Sequence, residues 1–160
     1  MPIRAFFEQE GEAAFRDLEE AVIDELTQEG ASPMVLATGG GAVLRPANRT
    51  RLHERATVIY LRSSPDELYR RLRHDTQRPL LQVADPLAKL RELYDQRHPL
   101  YEEVAHQRVD TGRPSVSALV NLIMGQLELT GTAPAESSAA SPAAFPSADL
   151  SPGSAPDSSP

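Results

Sequence analysis

The chain has 160 residues, a formal net charge of −7 and no cysteine. The length is enough for one domain, the acidic balance argues against a nucleic-acid binder held by bulk charge, and the missing thiols exclude disulfides and thiolate metal sites. No apolar run reaches the length of a membrane span and no signal-peptide pattern is present, so we expect a cytoplasmic protein that contacts no membrane.

Helix and strand patterns alternate along the first half of the chain. Apolar residues at helical spacing predict a helix over residues 11–29, with a buried face made of Phe15, Leu18, Val22 and Leu26. A short apolar run predicts a buried strand over residues 34–37, and a proline at the first helical position predicts a short helix over residues 46–54. A run of β-branched and aromatic residues predicts a second strand over residues 57–61.

The next segment opens with Ser64-Pro65-Asp66-Glu67, which supplies an N-cap, a proline at the first helical position and a capping-box glutamate. These residues predict a helix over residues 65–73, and the polar stretch behind it predicts a loop over residues 74–85.

Asp85 and Pro86 predict the start of another helix, with an apolar face that runs through Leu87, Leu90 and Tyr94 toward Arg97. Pro99 should kink this helix because proline removes a helical hydrogen bond. A third strand is predicted over residues 108–110, and a closing helix over residues 114–129.

The end of the chain differs in composition from the rest. Residues 130–160 are dominated by Ala, Ser and Pro and hold only two large apolar side chains. Such a segment cannot bury enough apolar surface to offset its ordering entropy, so we expect a disordered tail behind a folded domain of residues 1–129. Within that domain, alternating strands and helices predict an α/β fold with a parallel sheet covered by helices.

Three consecutive glycines, Gly39, Gly40 and Gly41, follow the first predicted strand. In an open α/β sheet, ligands bind beyond the carboxyl ends of the strands, where bare backbone N–H groups can face an oxyanion or a hydroxyl. The alternative is a tight turn that binds nothing, and the triplet alone does not decide between the two.

Three arginines stand in candidate motifs, and each has an ordinary structural explanation. Arg16 in "FRDLE" suits a solvated residue with a packed stem, and Arg78 in "QRPLL" suits a surface loop. Arg97 in "RHPLYEEVA" lies on an apolar helical face, where it needs either an internal salt bridge or a bound carboxylate or phosphate.

Taken in order, "GEAAFRDLE", "VLATGGGAV", "RPLL" and "RHPLYEEVA" with "RVDT" resemble the shikimate kinases over nearly all of residues 1–129. That family transfers the γ-phosphate of ATP to the 3-hydroxyl of shikimate in aromatic amino-acid biosynthesis. The resemblance implies that Arg16 and Arg97 hold the carboxylate of shikimate and that Gly40, between Gly39 and Gly41, contacts the substrate through its backbone.

The same resemblance implies the nucleotide side of the site and the partners of the chain. Arg78 matches the lid arginine that closes onto the phosphates, while Arg71 and Pro114 match residues on either side of the adenine. ATP and Mg²⁺ are the implied cofactors, shikimate is the implied substrate, and we expect a monomer.

The sequence lacks one part of the family pattern. It contains no G-x-x-x-x-G-K-[ST] phosphate-binding loop and no D-x-D segment with the catalytic aspartate, and its only lysine, Lys89, follows no glycine pattern. We therefore expect a misassigned start at Met1 and a remnant of the P-loop kinase sheet, with three strands retained and the central first strand and the second strand missing. Because unpaired strand edges aggregate or mispair, we expect the chain alone to be poorly stable, inactive and without tight ATP binding.

Two other functions remain open from the sequence. One is another small P-loop kinase, such as a gluconate kinase, and the other is a substrate-binding or partner-binding remnant without catalysis. The arginine pair at positions 16 and 97 favours a carboxylate on a ring, because two planar guanidinium forks suit a planar carboxylate.

Overall fold

The computed structural model describes residues 2–73, 83–112 and 115–131. Within these ranges the chain forms five α-helices, two strands and one 3₁₀ helix. In chain order they are α1 (Ile3–Leu26), the 3₁₀ helix (Gly40–Leu44), α2 (Pro46–Arg55), β1 (Ile59–Arg62), α3 (Pro65–Leu72), α4 (Pro86–Val104), β2 (Gln107–Asp110) and α5 (Val116–Leu129).

The two strands form a small parallel sheet. β1 pairs with β2 in a register that joins Ile59 to Gln107 and Arg62 to Asp110, and the chain between the strands carries α3 and α4. A parallel pair needs such a crossover, because a tight turn can join only antiparallel strands. The predicted α/β class with a parallel sheet is confirmed.

The predicted strand over residues 34–37 is wrong. Residues 31–39 have no regular secondary structure, and the backbone from residue 32 to residue 38 makes no hydrogen bond to another described residue. Val35 is 99% exposed, and Met34 and Leu36 are also exposed. A strand exists only where a neighbour takes up its hydrogen bonds, so this apolar run stays unpaired and the described sheet has two strands instead of three.

The first helix is longer and less buried than predicted. α1 begins at Ile3 and bends at Gly11, whose φ of 83° lies in the left-handed region that favours glycine. On its predicted apolar face, Leu18 and Val22 are exposed, and Ile23 is the residue of α1 that is buried. The side chains follow the predicted spacing, but no described element covers most of that face.

The other helices match their local signals. The Ser64 side chain accepts a hydrogen bond from the Glu67 N–H, and the Glu67 carboxylate accepts one from the Ser64 N–H, so the predicted capping box is confirmed. Asp85 caps α4, which passes through Pro99 without a break and ends at Val104. Proline has no N–H to donate to the carbonyl of Asp95, four residues earlier. Both Pro99 and Asp95 are exposed, so that carbonyl is not left buried without a partner.

The closing helix starts with its own cap but exposes much of its apolar face. The Ser115 side chain accepts a hydrogen bond from Ala118 N–H, and α5 follows from Val116. Val116 and Val120 are exposed, whereas Leu119, Ile123 and Leu127 are half-buried. The predicted core face of this helix is therefore only partly covered.

The core lies between α1, the 3₁₀ helix, α2 and the end of α4. It consists of buried Ile23, Ala42, Val43, Leu52 and Val104, with Val58, Leu100 and Tyr101 packed against it. The residues directly after the glycine triplet thus anchor that triplet to the best-packed part of the molecule. No helix of the described residues is long and apolar enough to cross a membrane.

Candidate functional site

The three glycines, which we call the glycine turn, form a sharp bend into the 3₁₀ helix. The Ala42 N–H donates to the Gly39 carbonyl at 3.1 Å, which closes the first turn. The neighbouring helix α2 holds the carbonyls that follow, since Asn48 Nδ2 donates to Ala42 O at 3.0 Å and Arg49 Nη1 donates to Val43 O at 2.8 Å. These two side-chain bonds, the first buried and the second partly buried, fix a loop that no strand precedes.

Glycine is needed in the turn for space and not for a left-handed backbone. Gly39 has a φ of −66°, and the glycines with positive φ in the described residues are Gly11, Gly30 and Gly131. A Cβ placed on Gly41 would lie 2.6 Å from Arg16 Cζ, and one on Gly40 would lie 3.0 Å from Tyr101 Oη. Side chains from α1 and α4 therefore occupy the volume that the glycines leave free.

Arg16 reaches the turn from α1 and is held in place by acidic neighbours. Its Nη1 forms an ion pair with Glu19 Oε2 at 2.6 Å, and its Nη2 lies 3.5 Å from Glu12 Oε1. Only 16% of the Arg16 side chain is exposed, and its buried Nε has no hydrogen-bond partner among the described residues. A solvated surface arginine is therefore excluded, and one donor of this guanidinium is unsatisfied in a site shielded from water.

Arg97 approaches the same turn from α4. Its Nη1 would lie 3.3 Å from a Cβ on Gly40, and the side chain is half-buried. Among the described residues, Arg97 has neither a hydrogen bond nor an ion pair, so the internal salt bridge considered from the sequence is not formed. A half-buried guanidinium with free donors favours an anionic ligand.

The two arginines therefore lie against the same turn. They come from two different helices, α1 and α4, and lie against consecutive glycines, whose Cα atoms are about 3.8 Å apart. Two planar donor forks beside bare backbone suit a small carboxylate with further hydroxyl groups. The predicted grouping of Arg16, Arg97 and the glycine turn is thus present in the structure, while the assignment of these residues to substrate binding stays a prediction.

Two residues of the site were not predicted. Tyr101 Oη donates a 2.7 Å hydrogen bond to the Gly40 carbonyl, and Glu19, which is only 13% exposed, pairs with Arg16 and lies beside Gly39. Both follow a predicted arginine at helical spacing, Glu19 three residues after Arg16 and Tyr101 four residues after Arg97. That spacing places side chains on one helix face and is the signal that could have identified them.

Aromatic side chains support Tyr101 from the sheet side. The Tyr60 ring on β1 lies 5.0 Å from the Tyr101 ring, and the Tyr60 hydroxyl is 3.0 Å from His98 Nδ1. Burial raises the pKa of Tyr60 to about 12, so this hydroxyl keeps its proton at neutral pH. The Tyr94 ring stacks on His98 at 4.7 Å, which completes a row along one face of α4.

Of the three residues predicted to contact ATP, the structure describes Arg71. Arg71 Nη1 donates to Thr111 Oγ1 at 3.4 Å, so it lies beside the segment that leaves β2. Arg78 and Pro114 lie outside the described residues. The structure therefore brings Arg71 close to the segment that precedes Pro114 and tests neither its role nor that of the lid arginine.

A group of charged residues joins α1 to α2 next to the site. Arg45 Nη1 pairs with Asp17 at 2.6 Å and with Glu20 at 2.9 Å. The hydrogen bond from Arg45 holds the pKa of Glu20 below its usual value, and the bond from Arg55 does the same for Asp24. Within the described part of the chain, no group of three or more metal-ligating side chains could hold a metal ion.

Comparison with known proteins gives consistent matches. A family model described as shikimate kinase matches residues 1–128. The shikimate kinase of Paracidovorax citrulli is 60% identical over 133 residues, which are 82% of this chain and 73% of the relative. That of Burkholderia pseudomallei is 57% identical over 129 residues, or 81% of this chain and 69% of the relative.

Solved structures give the same family. The structure of shikimate kinase from Acinetobacter baumannii in complex with shikimate is 43% identical, has a TM-score of 0.70, and covers 81% of this chain and 70% of that one. Arg16, the glycine turn and Arg97 all fall within the residues that the family model matches. The shikimate kinases are phosphotransferases of aromatic amino-acid biosynthesis, and this chain belongs to the shikimate kinase family.

Proposed function

We propose that the glycine turn and its two arginines bind shikimate, the acceptor of the phosphate in the reaction of this family. The observation that carries the proposal is the position of Arg97, a half-buried guanidinium without a partner among the described residues, next to Gly40 in the turn that Arg16 also contacts. In this arrangement Arg97 supplies free donors for the ligand carboxylate. The family membership and the shikimate complex of the Acinetobacter baumannii relative support this ligand.

The two arginines have different tasks in the proposed site. Glu19 fixes the plane of the Arg16 guanidinium, whereas Arg97 binds the carboxylate without competition from an acid among the described residues. The glycine turn lets the two guanidinium groups approach the backbone closely, so that the carboxylate is bound beside backbone N–H groups. Holding a substrate in one orientation is the main contribution that a protein makes to phosphoryl transfer.

The residues present do not fit ATP and Mg²⁺, which the family implies. The 160 residues contain no phosphate-binding loop motif, and Lys89, the only lysine, pairs with Glu92 at 3.0 Å on the side of α4. We therefore derive no step of phosphate transfer through the nucleotide or the metal. Roles for Arg78 at the phosphates and for Arg71 and Pro114 at the adenine remain proposals.

Family membership favours shikimate over the gluconate alternative, and transfer to the 3-hydroxyl is the activity we propose for the chain when a donor site is supplied. A non-catalytic, shikimate-binding remnant is the remaining alternative, and it would share the acceptor site. A cytoplasmic location and a monomeric state stay predictions of the sequence.

Calorimetric titration of the full chain tests the proposed acceptor site. We expect saturable binding of shikimate and no binding of gluconate at the same concentration, because the open-chain acid must lose conformational freedom to place its carboxylate and hydroxyl groups in the arrangement that a ring fixes in advance. Equal affinity for both acids, or no binding of shikimate, would overturn the proposal. Phosphate transfer from ATP after addition of an intact donor segment would separate the kinase from the non-catalytic alternative.

A further inference from the structure

Tyr101 makes a contact that the binding of a carboxylate by two arginines does not require. Its hydroxyl donates to the Gly40 carbonyl at 2.7 Å, and its ring packs on the core and lies 5.0 Å from the Tyr60 ring. The hydroxyl is therefore fixed by the packing of its own ring. It can in turn fix the backbone to which it is bonded.

The bonded carbonyl belongs to the peptide that joins Gly40 to Gly41. A trans peptide is planar, so its C=O and its N–H point in opposite directions, and holding one fixes the other. Glycines restrict the peptide plane less than any other residue does. The Tyr101 hydrogen bond consequently restrains the direction of the Gly41 N–H, which donates to no described residue.

The hydrogen bond from Tyr101 also makes the Gly41 N–H a stronger donor. An amide that accepts a hydrogen bond at its oxygen is polarised, which strengthens the bond that its N–H donates. Arg16 lies where a Gly41 side chain would be, so this N–H is in the immediate neighbourhood of the proposed site.

We propose that Tyr101 is a positioning residue, whose hydroxyl orients the Gly40–Gly41 peptide so that the Gly41 N–H is a preset donor to an oxygen of the bound acid. The identity of that acid rests on the proposed function, whereas the orientation of the peptide does not. The Tyr60 ring packs against the Tyr101 ring, and the 3.0 Å contact between the Tyr60 hydroxyl and His98 Nδ1 in turn holds Tyr60.

The first test uses the ligand-free chain, labelled with ¹⁵N, and the variants Tyr101→Phe and Tyr94→Phe. Tyr94 lies on the same helix but stacks on His98, and it is the matched control because both changes remove one phenol hydroxyl and keep the ring. In Tyr101→Phe we expect a shifted Gly41 amide signal, because the Gly40–Gly41 peptide loses the hydrogen bond that orients and polarises it. A Gly41 signal identical in both variants would overturn the inference.

The second test measures shikimate affinity by calorimetry, together with the melting temperature. We expect Tyr101→Phe to bind shikimate about threefold to tenfold more weakly, with Tyr94→Phe unchanged. A lower melting temperature with unchanged affinity would mean that the hydroxyl is merely structural and would overturn the inference. If the unmodified chain binds no shikimate, the proposed function fails, while the amide measurements still decide whether Tyr101 orients the peptide.

Discussion

Arg16 and Arg97 border the same glycine turn but are held in different ways. Arg16 is paired with Glu19 at 2.6 Å, whereas Arg97 forms no ion pair with any described residue. The first arginine therefore belongs to the internal structure as well as to the site, and the second is available to a ligand. This difference separates the expected effects of their substitutions.

Replacing Arg97 by alanine should weaken shikimate binding and leave the fold intact. A hydrogen bond to a charged group contributes about 1.5–3 kcal/mol, which corresponds to a loss of affinity of about tenfold to more than a hundredfold. Arg97→Lys should recover part of the loss, since it keeps the charge but not the planar fork. Calorimetry measures the affinity, and Arg91→Ala, which removes an exposed arginine of the same helix, is the control.

Replacing Arg16 by alanine should lower both stability and shikimate affinity. The substitution leaves Glu19, a carboxylate that is only 13% exposed, without its partner. We expect the melting temperature to fall by several degrees, and Glu19→Gln to restore part of it in the double variant. Thermal unfolding of the unmodified chain, the two single variants and the double variant provides the measurement. Additive effects of the two substitutions would contradict a coupled pair.

Alanine substitutions along the glycine turn should have graded effects. At Gly41 the new Cβ would lie 2.6 Å from Arg16 Cζ, so shikimate affinity should fall as strongly as in Arg16→Ala. At Gly40 the new Cβ would lie 3.0 Å from Tyr101 Oη, so the loss of shikimate affinity should be smaller. At Gly39 the nearest atom, Glu19 Oε1, is 3.6 Å away, which is ordinary contact, and this variant is the matched control. Equal affinities in all three variants would contradict the close approach of the arginines.

Titration of the full chain with ATP and Mg²⁺ should show no tight binding. The sequence lacks the glycine-rich loop and its lysine that hold the phosphates in P-loop proteins, and Lys89 pairs with Glu92 instead. Calorimetry at ATP concentrations up to about millimolar provides the measurement, since that affinity corresponds to only about 4 kcal/mol. Micromolar binding would show that another part of the chain holds the nucleotide.

Acid should weaken the contact between α1 and α2. Hydrogen bonds from Arg45 and Arg55 hold the pKa values of Glu20 and Asp24 below their usual values. Because the folded pKa values are lowered, the stabilising contribution is complete above the usual carboxyl pKa and is lost as the pH falls through the lowered values. The melting temperature should therefore drop between pH ~7 and pH ~3.

The variant Glu20→Gln separates this effect from general acid unfolding. It should be less stable than the unmodified chain at neutral pH, and the difference should disappear in acid, where the unmodified Glu20 is protonated. Glu8→Gln, which removes an exposed partner of Arg4, is the control. A difference that is the same at both pH values would contradict the role of Glu20.

The sequence by itself determined the features that depend on neighbours along the chain. The start of α3 follows from the Ser64–Glu67 capping box and the start of α4 from Asp85, because the bonds that form them join residues three positions apart. The motifs that carry the family resemblance are also local, and they led to Arg16, Arg97 and the glycine turn. These parts of the fold, and the choice of these residues as candidates, could be predicted.

Tertiary structure decided the features that need a partner from elsewhere in the chain. The run at residues 34–37 has the composition of a strand, yet it forms none because no described segment takes up its hydrogen bonds. Likewise, the lack of a described partner for Arg97 and the bond from Tyr101 to Gly40 depend on how α4 meets the turn. Local patterns specify which element a residue prefers, but only packing decides which distant atoms come within bonding distance.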